Sequence, residues 1–187
     1  NDWLADFEST PAEVLARAKM MFISYPNNPA AVAAPVEYFD RAIAFAKEHD
    51  LLLVHDNAYS EIGFDGYMPP SIMERPGARD VAIEFFSCSK AYNMTGWRIA
   101  FACGNADAIN TLGIVKSNVD SGQFTAIQQA AMEAMLGPQD DVAEMREIYQ
   151  RRRDMVLETL PSIGLSARRS AGTIYVWARI PEGYTSA

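Results

Sequence analysis

The sequence predicts an α/β fold, a three-layer sandwich with a mainly parallel sheet, followed by the start of a small α+β domain. Three observations lead to this prediction. The near-continuous apolar run LLLVHD, at 51–56, is typical of a parallel strand covered on both faces. Apolar residues recur at helical spacing through 35–50, directly before that run. Strand-like and helix-like segments therefore alternate along the first hundred residues, which is the pattern of a parallel sheet.

The elements of the first half follow in order from these patterns. A short helix is predicted at 10–18, with Thr10 as its cap and Pro11 in its first position. A longer helix, started by Pro35, is predicted at 35–50. Buried strands are predicted at 19–25, 51–56, 81–87 and 97–104. Because only a short polar hinge separates the last two strands, we expect them to run antiparallel.

Beyond residue 104 the pattern becomes helical. Helices are predicted at 105–117, 124–136 and 138–160, and Pro161 and Gly164 end the last of them. The run TIYVWARI, at 173–180, is interpreted as the first strand of another domain. We therefore assign 1–137 to a large domain, and 138–187 to a connecting helix and the start of a small domain. The chain begins with Asn1 and stops soon after a strand, so we expect it to be the middle portion of a longer protein.

Composition excludes several classes of function. The net charge of -8 and the pI near 4.7 argue against a nucleic-acid-binding surface, which needs clustered positive charge. The basic cluster Arg151–Arg153 is interpreted as the solvated face of a helix. No apolar run approaches membrane-spanning length, and the N-terminal residues do not form a signal peptide. Cys88 and Cys103 are expected to be buried, reduced thiols, which favours a cytoplasmic protein.

Polar side chains collect where the predicted strands end. In open α/β sheets, ligands bind beyond the carboxyl ends of the strands. The candidate residues at these strand ends are Asn28, Asp56, Tyr59, Ser87, Ser89, Lys90 and Arg98. We call this set the strand-end site. It offers an amide, a carboxylate, a phenol, two hydroxyls, an amine and a guanidinium to one ligand.

The chemistry of this set indicates a particular ligand. Hydroxyls and a guanidinium suit a phosphate dianion, and a carboxylate suits a protonated ring nitrogen. An amine can condense with an aldehyde, and an amide and a phenol suit a phenolate oxygen. A phosphorylated pyridine aldehyde carries all of these features, and that molecule is pyridoxal 5′-phosphate. The two histidines, His49 and His55, are too few to predict a metal site.

Three segments carry a resemblance to a known family. SYPNNPA, HDNAYSEI and SCSKAYNMTGWRIAFACG resemble the class I/II aminotransferases, which are pyridoxal-phosphate enzymes of fold type I. Within that family the likeness is nearest to enzymes that act on LL-diaminopimelate, alanine or aspartate. The resemblance covers essentially the whole chain, although a full family member is about twice as long. It departs from the family after NNP, where Ala30 and Ala31 stand in place of a frequent Thr-Gly.

The resemblance implies roles for the strand-end site. Lys90 would bind the cofactor's aldehyde and afterwards move a proton between the substrate's α-carbon and the cofactor. Asp56 would keep the ring nitrogen protonated, and Tyr59 and Asn28 would contact the 3′-oxygen. Phosphate contacts would come from Ser87, Ser89 and Arg98. The resemblance further implies a homodimeric transaminase that acts on amino acids and 2-oxo acids.

The sequence leaves two functions other than transamination open. A carbon–sulfur lyase of the same fold would share the cofactor site, and so would the ligand-sensing half of a transcription regulator. The chain lacks the family's upstream phosphate donors and its downstream carboxylate-binding arginine. We therefore expect the 187-residue chain by itself to be inactive.

Overall fold

A four-stranded mixed sheet forms the centre of the computed structural model. The structure describes residues 3–185, so Asn1, from which we expected a longer protein, lies outside the described residues. The strands are β1 (Met20–Ile23), β2 (Leu52–Asp56), β3 (Ala82–Ser87) and β4 (Ala100–Gly104), in the order β1-β2-β3-β4. The first three are parallel, and β4 is antiparallel to β3. The predicted α/β class and the predicted reversal at the fourth strand are both confirmed.

Helices precede, connect and follow these strands. They are α1 (Ala12–Leu15), α2 (Val36–Glu48), α3 (Ala78–Val81), α4 (Cys88–Ala91), α5 (Ala106–Val119), α6 (Thr125–Leu136) and α7 (Asp140–Thr159). Short 3-10 turns occupy Ile72–Glu74, Thr95–Trp97 and Leu160–Ile163. Gly164, in the left-handed region with a φ of 75°, ends the last turn, as its position after α7 predicts.

Helix α2 covers one face of the sheet because its apolar residues recur every three or four positions. Phe39, Ala42 and Ala46 lie on that stripe and are completely buried. They belong to the same core as Leu53 of β2 and Ala82 of β3. Along β2, alternate residues point to opposite faces, so Leu53 and His55 share one face while Asp56 points to the other.

A buried hydrogen-bond network joins β2, β3 and the loop after β1 beneath α2. His55 Nδ1 lies 2.8 Å from Glu84 Oε2, and His55 Nε2 lies 3.1 Å from the backbone oxygen of Tyr25. Glu84 also accepts hydrogen bonds from the Ser71 hydroxyl and the Ile72 amide. Burial raises the pKa of Glu84, but the His55, Ser71 and Ile72 hydrogen bonds outweigh it, so its pKa is lowered overall. His55 is therefore part of the core.

The predicted ends of two elements are wrong. The N-cap of α1 is Pro11, not Thr10, because Pro11 keeps an extended backbone and the helix begins only at Ala12. The Thr10 amide instead donates to the Phe7 carbonyl in the preceding turn. The strand predicted at 173–180 is confined to β6 (Ala178–Arg179), which pairs antiparallel with β5 (Ser166–Ala167). Thr173 has a φ of 70°, a conformation that no β-strand accommodates.

Three predictions about burial are also wrong. The strand predicted to be buried at 19–25 is β1, and Met20 and Phe22 are 55% and 68% exposed because they alternate with Ile23 and point away from the face that α2 covers.

Cys103 is exposed, because β4 lies at the edge of the described sheet, while Cys88 is buried as expected; both are free thiols. Arg153 is buried, although we expected Arg151–Arg153 to face solvent together. Its side chain turns inward to two carboxylates, whereas Arg151 and Arg152 stay exposed. Within residues 3–185, no helix combines the length and apolarity that crossing a membrane requires.

Candidate active site

The carboxyl ends of β2 and β3 lie side by side, and the strand-end site is located at this end of the sheet. Asp56, the last residue of β2, is paired in register with Phe85 of β3 and its side chain is exposed. The Asn57 amide donates to the Phe85 carbonyl at 2.9 Å, so the pairing continues one residue past the strand. This fixes the backbone from which Asp56 projects.

Lys90 is held close to the end of β3 because the strand runs directly into α4. Ser87 is both the last residue of β3 and the N-cap of α4, and its hydroxyl oxygen accepts the Ser89 amide at 3.2 Å. Ser89 is buried, while Lys90 is partly exposed. The single helical turn therefore keeps both serines and the lysine within a few residues of the sheet.

Arg98 is connected to the same turn through Thr95. The Thr95 hydroxyl donates to the Ser89 carbonyl at 3.0 Å, and Arg98 Nη1 donates to the Thr95 carbonyl at 3.0 Å. Arg98 lies two residues before β4, outside the strand that we predicted it to open, and its φ of 54° is left-handed. The rest of its guanidinium is exposed and keeps N–H donors for a ligand.

Tyr59 joins the loop after β2 to the loop after β1. It is 5% exposed, and burial is the main reason why its pKa is raised above the usual value. A hydrogen bond to Tyr175 and the Asp56 charge raise that pKa further, whereas the Asn28 side chain lowers it. Asp56 and Asn28 are thus both near enough to act on the Tyr59 phenol, although Asn28 itself is exposed.

Tyr175 is a neighbour of the site that the sequence analysis missed. The Tyr59 hydroxyl donates to the Tyr175 hydroxyl at 3.2 Å, and the rings meet edge to face with centroids 5.9 Å apart. The two residues are 116 positions apart, and no periodicity or motif links them. The contact depends on how the segment after α7 packs, which sequence patterns do not report.

The charged side chains of the strand-end site lack an oppositely charged partner in the described part of the chain. Within residues 3–185, Asp56, Lys90 and Arg98 form no ion pair with another side chain. The described part of the chain also contains no group of three or more His, Cys, Asp or Glu that could hold a metal ion.

The donor set fits pyridoxal phosphate. A carboxylate free of any cation can face a protonated ring nitrogen, and exposed guanidinium N–H groups with two nearby hydroxyls can bind a phosphate. A lysine without an ionic partner can bind an aldehyde, and a buried phenol can donate to the 3′-oxygen. All of these groups project from one edge of the sheet, where ligands of open α/β folds bind.

The chain matches the model of a known protein family. The model of the aminotransferase class I and II family matches residues 1–185. A protein of Moorella thermoacetica named LL-diaminopimelate aminotransferase is 50% identical over 187 residues, which are 100% of this chain and 48% of that protein. A protein of the same name from Desulforudis audaxviator is 52% identical over 98% of this chain and 47% of its own length. The chain thus spans about half the length of these relatives.

Solved structures agree with this match. Apo-BacF from Bacillus subtilis superposes with a TM-score of 0.94 at 39% identity, over 99% of this chain and 49% of that one. A probable N-succinyldiaminopimelate aminotransferase from Thermus thermophilus superposes with a TM-score of 0.90 at 35% identity, over 98% of this chain and 50% of the other.

Proposed function

The chain belongs to the class I and II aminotransferases, and from this premise we propose that the full-length protein is a transaminase that moves an amino group between an L-amino acid and a 2-oxo acid. Members of the family use pyridoxal 5′-phosphate. The observation that carries the proposal is the strand-end site, in which lysine, arginine and carboxylate lie at adjoining strand ends and have no ionic partner among residues 3–185.

We assign each residue of the strand-end site a part in holding the cofactor. Lys90 binds its aldehyde carbon, and Asp56 faces its ring nitrogen. Tyr59 and Asn28 contact the 3′-oxygen, and Ser87, Ser89 and Arg98 bind the phosphate. The hydrogen bonds that run from Ser89 through Thr95 to Arg98 support this division, because they already hold the phosphate-binding groups in one loop.

When bound, pyridoxal phosphate accepts the electron pair that is left on the substrate's α-carbon after its proton departs. The protein's task is to move that proton and to stabilise the charge. Once the substrate's amino group has replaced Lys90 Nζ at the aldehyde carbon, the freed Lys90 amine would take the proton from the substrate's α-carbon and return it on the cofactor side. The Asp56 carboxylate holds a positive charge at the ring nitrogen, which favours electron flow toward it. The burial of Tyr59 and Ser89 limits water around them.

Within this activity we propose LL-diaminopimelate as the amino donor, with alanine and aspartate as the alternatives. The support is the 50% identity to proteins named LL-diaminopimelate aminotransferase over the whole chain. Steady-state kcat/KM for the three donors, measured on the full-length protein with 2-oxoglutarate as acceptor, ranks them. A donor preference for alanine or aspartate by more than about tenfold would reject the diaminopimelate assignment.

We further propose that the full-length protein is a cytoplasmic homodimer, with residues 1–137 in its large domain and 138–187 leading into its small domain. Exposed apolar residues on α5 and α6 support a covered surface there: Ile114, Val115, Val119, Met132 and Leu136. Helix α5 has no buried residue of its own in the described chain. An apolar face of this kind typically marks a protein interface.

Borohydride reduction of the full-length protein with bound cofactor, followed by peptide mapping, tests the proposal. We expect the label on Lys90. Lys47 and Lys116, which are ion-paired with Asp80 and Asp120 at 2.7 and 2.6 Å, act as internal controls and should stay unlabelled. Lys90→Arg keeps the positive charge but cannot condense with an aldehyde, so this variant should lose the label. A label on another lysine would reject the site.

Product analysis separates the transaminase from the alternatives that share its site. With an amino acid and a 2-oxo acid, a transaminase exchanges the amino group. A carbon–sulfur lyase, given an amino acid with a sulfur substituent on its β-carbon, releases a thiol, ammonia and a 2-oxo acid. If neither product forms although Lys90 is labelled, a ligand-sensing role is favoured. The 187-residue chain by itself should show no amino exchange, since it spans about half of its relatives.

A further inference from the structure

The phenols of Tyr59 and Tyr175 form a pair that none of the roles above uses. Their oxygens are 3.2 Å apart, and each hydroxyl can either donate to or accept from the other, because hydroxyl hydrogens rotate. Both rings belong to one apolar cluster with Ile62, Phe64 and Tyr92. Tyr92 lies two residues after Lys90, so the cluster borders the turn that carries the lysine.

The segment that carries Tyr175 is fixed to the loop after β2 by backbone hydrogen bonds. The Phe64 amide donates to the Ala171 carbonyl at 2.8 Å, and the Thr173 amide donates to the Ile62 carbonyl at 3.0 Å. The Thr173 hydroxyl oxygen accepts the Tyr175 amide at 3.2 Å. Since Tyr59 begins the same loop, these bonds hold the two phenols at a fixed separation.

Gly172 makes this close approach possible. A Cβ at position 172 would lie 2.6 Å from the Ile62 carbonyl oxygen and 3.3 Å from Pro26 Cγ. Any larger residue would push the segment away from the loop after β2 and from Pro26, which stands two residues before Asn28. The segment around Tyr175 therefore packs against both loops that supply Tyr59 and Asn28.

We propose that Tyr175 is a positioning residue for Tyr59, and this inference rests on the proposed function. Without cofactor, the Tyr59 hydroxyl donates its hydrogen bond to Tyr175. With cofactor bound, the Tyr59 hydroxyl would donate to the 3′-oxygen instead, and the Tyr175 hydroxyl would rotate and donate a hydrogen bond to the Tyr59 oxygen. A phenol that accepts one hydrogen bond becomes a better donor of the next, because each bond in a chain polarises its neighbour. Tyr175 thereby strengthens a contact that it does not make itself.

A double-mutant cycle on the full-length protein tests this proposal. The variants are Tyr59→Phe, Tyr175→Phe and the double variant, and the readouts are the dissociation constant of pyridoxal phosphate and the pH midpoint of the bound cofactor's visible absorbance. Tyr175→Phe should raise the dissociation constant roughly three- to tenfold, the worth of about one neutral hydrogen bond. It should also raise the pH midpoint, because a weaker donor leaves the 3′-oxygen more basic.

Both effects of Tyr175→Phe should disappear when Tyr59 is already Phe, since Tyr175 acts only through it. Equal effects in the two backgrounds, or no change in the pH midpoint, would overturn the proposal. Tyr67→Phe is the matched control, because its part-buried phenol donates to the Ala34 carbonyl at 3.4 Å and not to a residue of the strand-end site. That variant should bind the cofactor as the wild type does.

The proposed function and this inference fail in different measurements. If wild-type protein does not bind pyridoxal phosphate at all, both fail before any tyrosine variant is compared. If wild-type protein binds it through Lys90, the proposed function stands and the cycle alone decides about Tyr175. Urea unfolding of the four cofactor-free proteins adds a direct check, because additive effects of the two hydroxyls would show that they do not interact and would overturn the inference.

Discussion

Two groups of charged residues in this protein use the same kinds of side chain in opposite ways. One is the Arg153 cluster, which consists of Asp65, Arg153, Asp154 and Arg169. Arg153 lies 2.8 Å from a carboxylate oxygen of Asp65 and 2.8 Å from one of Asp154, and Arg169 contacts both acids at 3.1 and 3.0 Å. The other is the strand-end site, whose charges have no ionic partner among residues 3–185.

Burial explains why the two groups differ. The Arg153 side chain is 3% exposed, and a guanidinium in that position must be paired or it would destabilise the fold. Two carboxylates, the Ser170 carbonyl and the ring of Phe64, 4.7 Å away, surround it. Asp56 and Arg98 are exposed, so water can solvate them until a ligand takes its place. Paired charges hold this structure together, and unpaired charges at a strand end are available for chemistry.

The largest effect expected on either side of this comparison is that of Asp56→Ala. If Asp56 has its proposed role, loss of the carboxylate removes a preorganised contact worth about 3 kcal/mol in the transition state, or roughly a hundredfold or more in turnover. Cofactor content should fall much less, because Lys90 and the phosphate contacts remain. Turnover and bound cofactor should be measured on the same preparation. An equal loss of both would show that Asp56 serves binding alone.

Arg153→Met should act on stability instead. It removes charge-assisted hydrogen bonds from a buried position, and the free energy of unfolding should fall by about 1 to 3 kcal/mol. Urea unfolding measures this change. Arg151→Met is the matched control on the same helix, because its Glu147 partner is 3.7 Å away and both side chains are mostly exposed. That variant should change the unfolding free energy by less than about 0.5 kcal/mol. Similar losses in both variants would contradict the contrast.

Acid should weaken the Arg153 cluster as the Asp65 carboxylate takes up a proton. Hydrogen bonds from Arg169 and Arg153 lower the pKa of Asp65 to about 2 from an ordinary value of 3.8. Because the folded pKa is the lower one, the stabilisation is complete above pH 3.8 and is lost as the pH falls toward 2. Asp65→Asn should therefore reduce the slope of unfolding free energy against pH in this window.

That slope should not vanish in Asp65→Asn, since the pKa of Glu84 is also lowered and still contributes. Chemical denaturation at several pH values between 2 and 5 provides the measurement. An unchanged slope would show that Asp65 does not carry the acid sensitivity.

The smallest effect expected is that of Lys47→Met. The Lys47 ammonium lies 2.7 Å from Asp80, but the two side chains are 41% and 68% exposed. Solvent screening and the cost of ordering a long side chain leave such a pair worth less than about 0.5 kcal/mol. A clear loss of stability in urea unfolding would mean that short distance, and not burial, decides which ion pairs of this protein matter.

Sequence patterns predicted most of the sheet and the strand-end site because both depend on local order. The run at 51–56 predicted β2, and the short hinge before Arg98 predicted the reversal of β4. Ser87, Ser89 and Lys90 are neighbours in the chain, so a strand end that continues into a helical turn keeps them together. Their roles as cofactor ligands remain proposals.

The wrong predictions concern positions where local patterns compete with contacts made at a distance. Apolar periodicity at 173–180 indicates a strand, but the bonds to Ile62 and Phe64 and the left-handed Thr173 prevent one over most of that run. The basic run at 151–153 indicates a solvated helix face. Arg153 is nevertheless buried, because it pairs with Asp65, which lies 88 positions earlier in the chain. Neither partner can be recognised from its own neighbourhood in the sequence.

The amino-acid sequence by itself determined the α/β class, the directions of the strands and the chemical groups at their ends, because hydrophobic periodicity and side-chain chemistry are properties of short segments. Only the tertiary structure decided which charges are paired, that Glu84 accompanies His55 in the core, and that Tyr175 meets Tyr59. The His55–Glu84 and Tyr59–Tyr175 contacts join residues 29 and 116 positions apart. They form when packing brings distant segments together, and local sequence patterns do not predict which distant segments will meet.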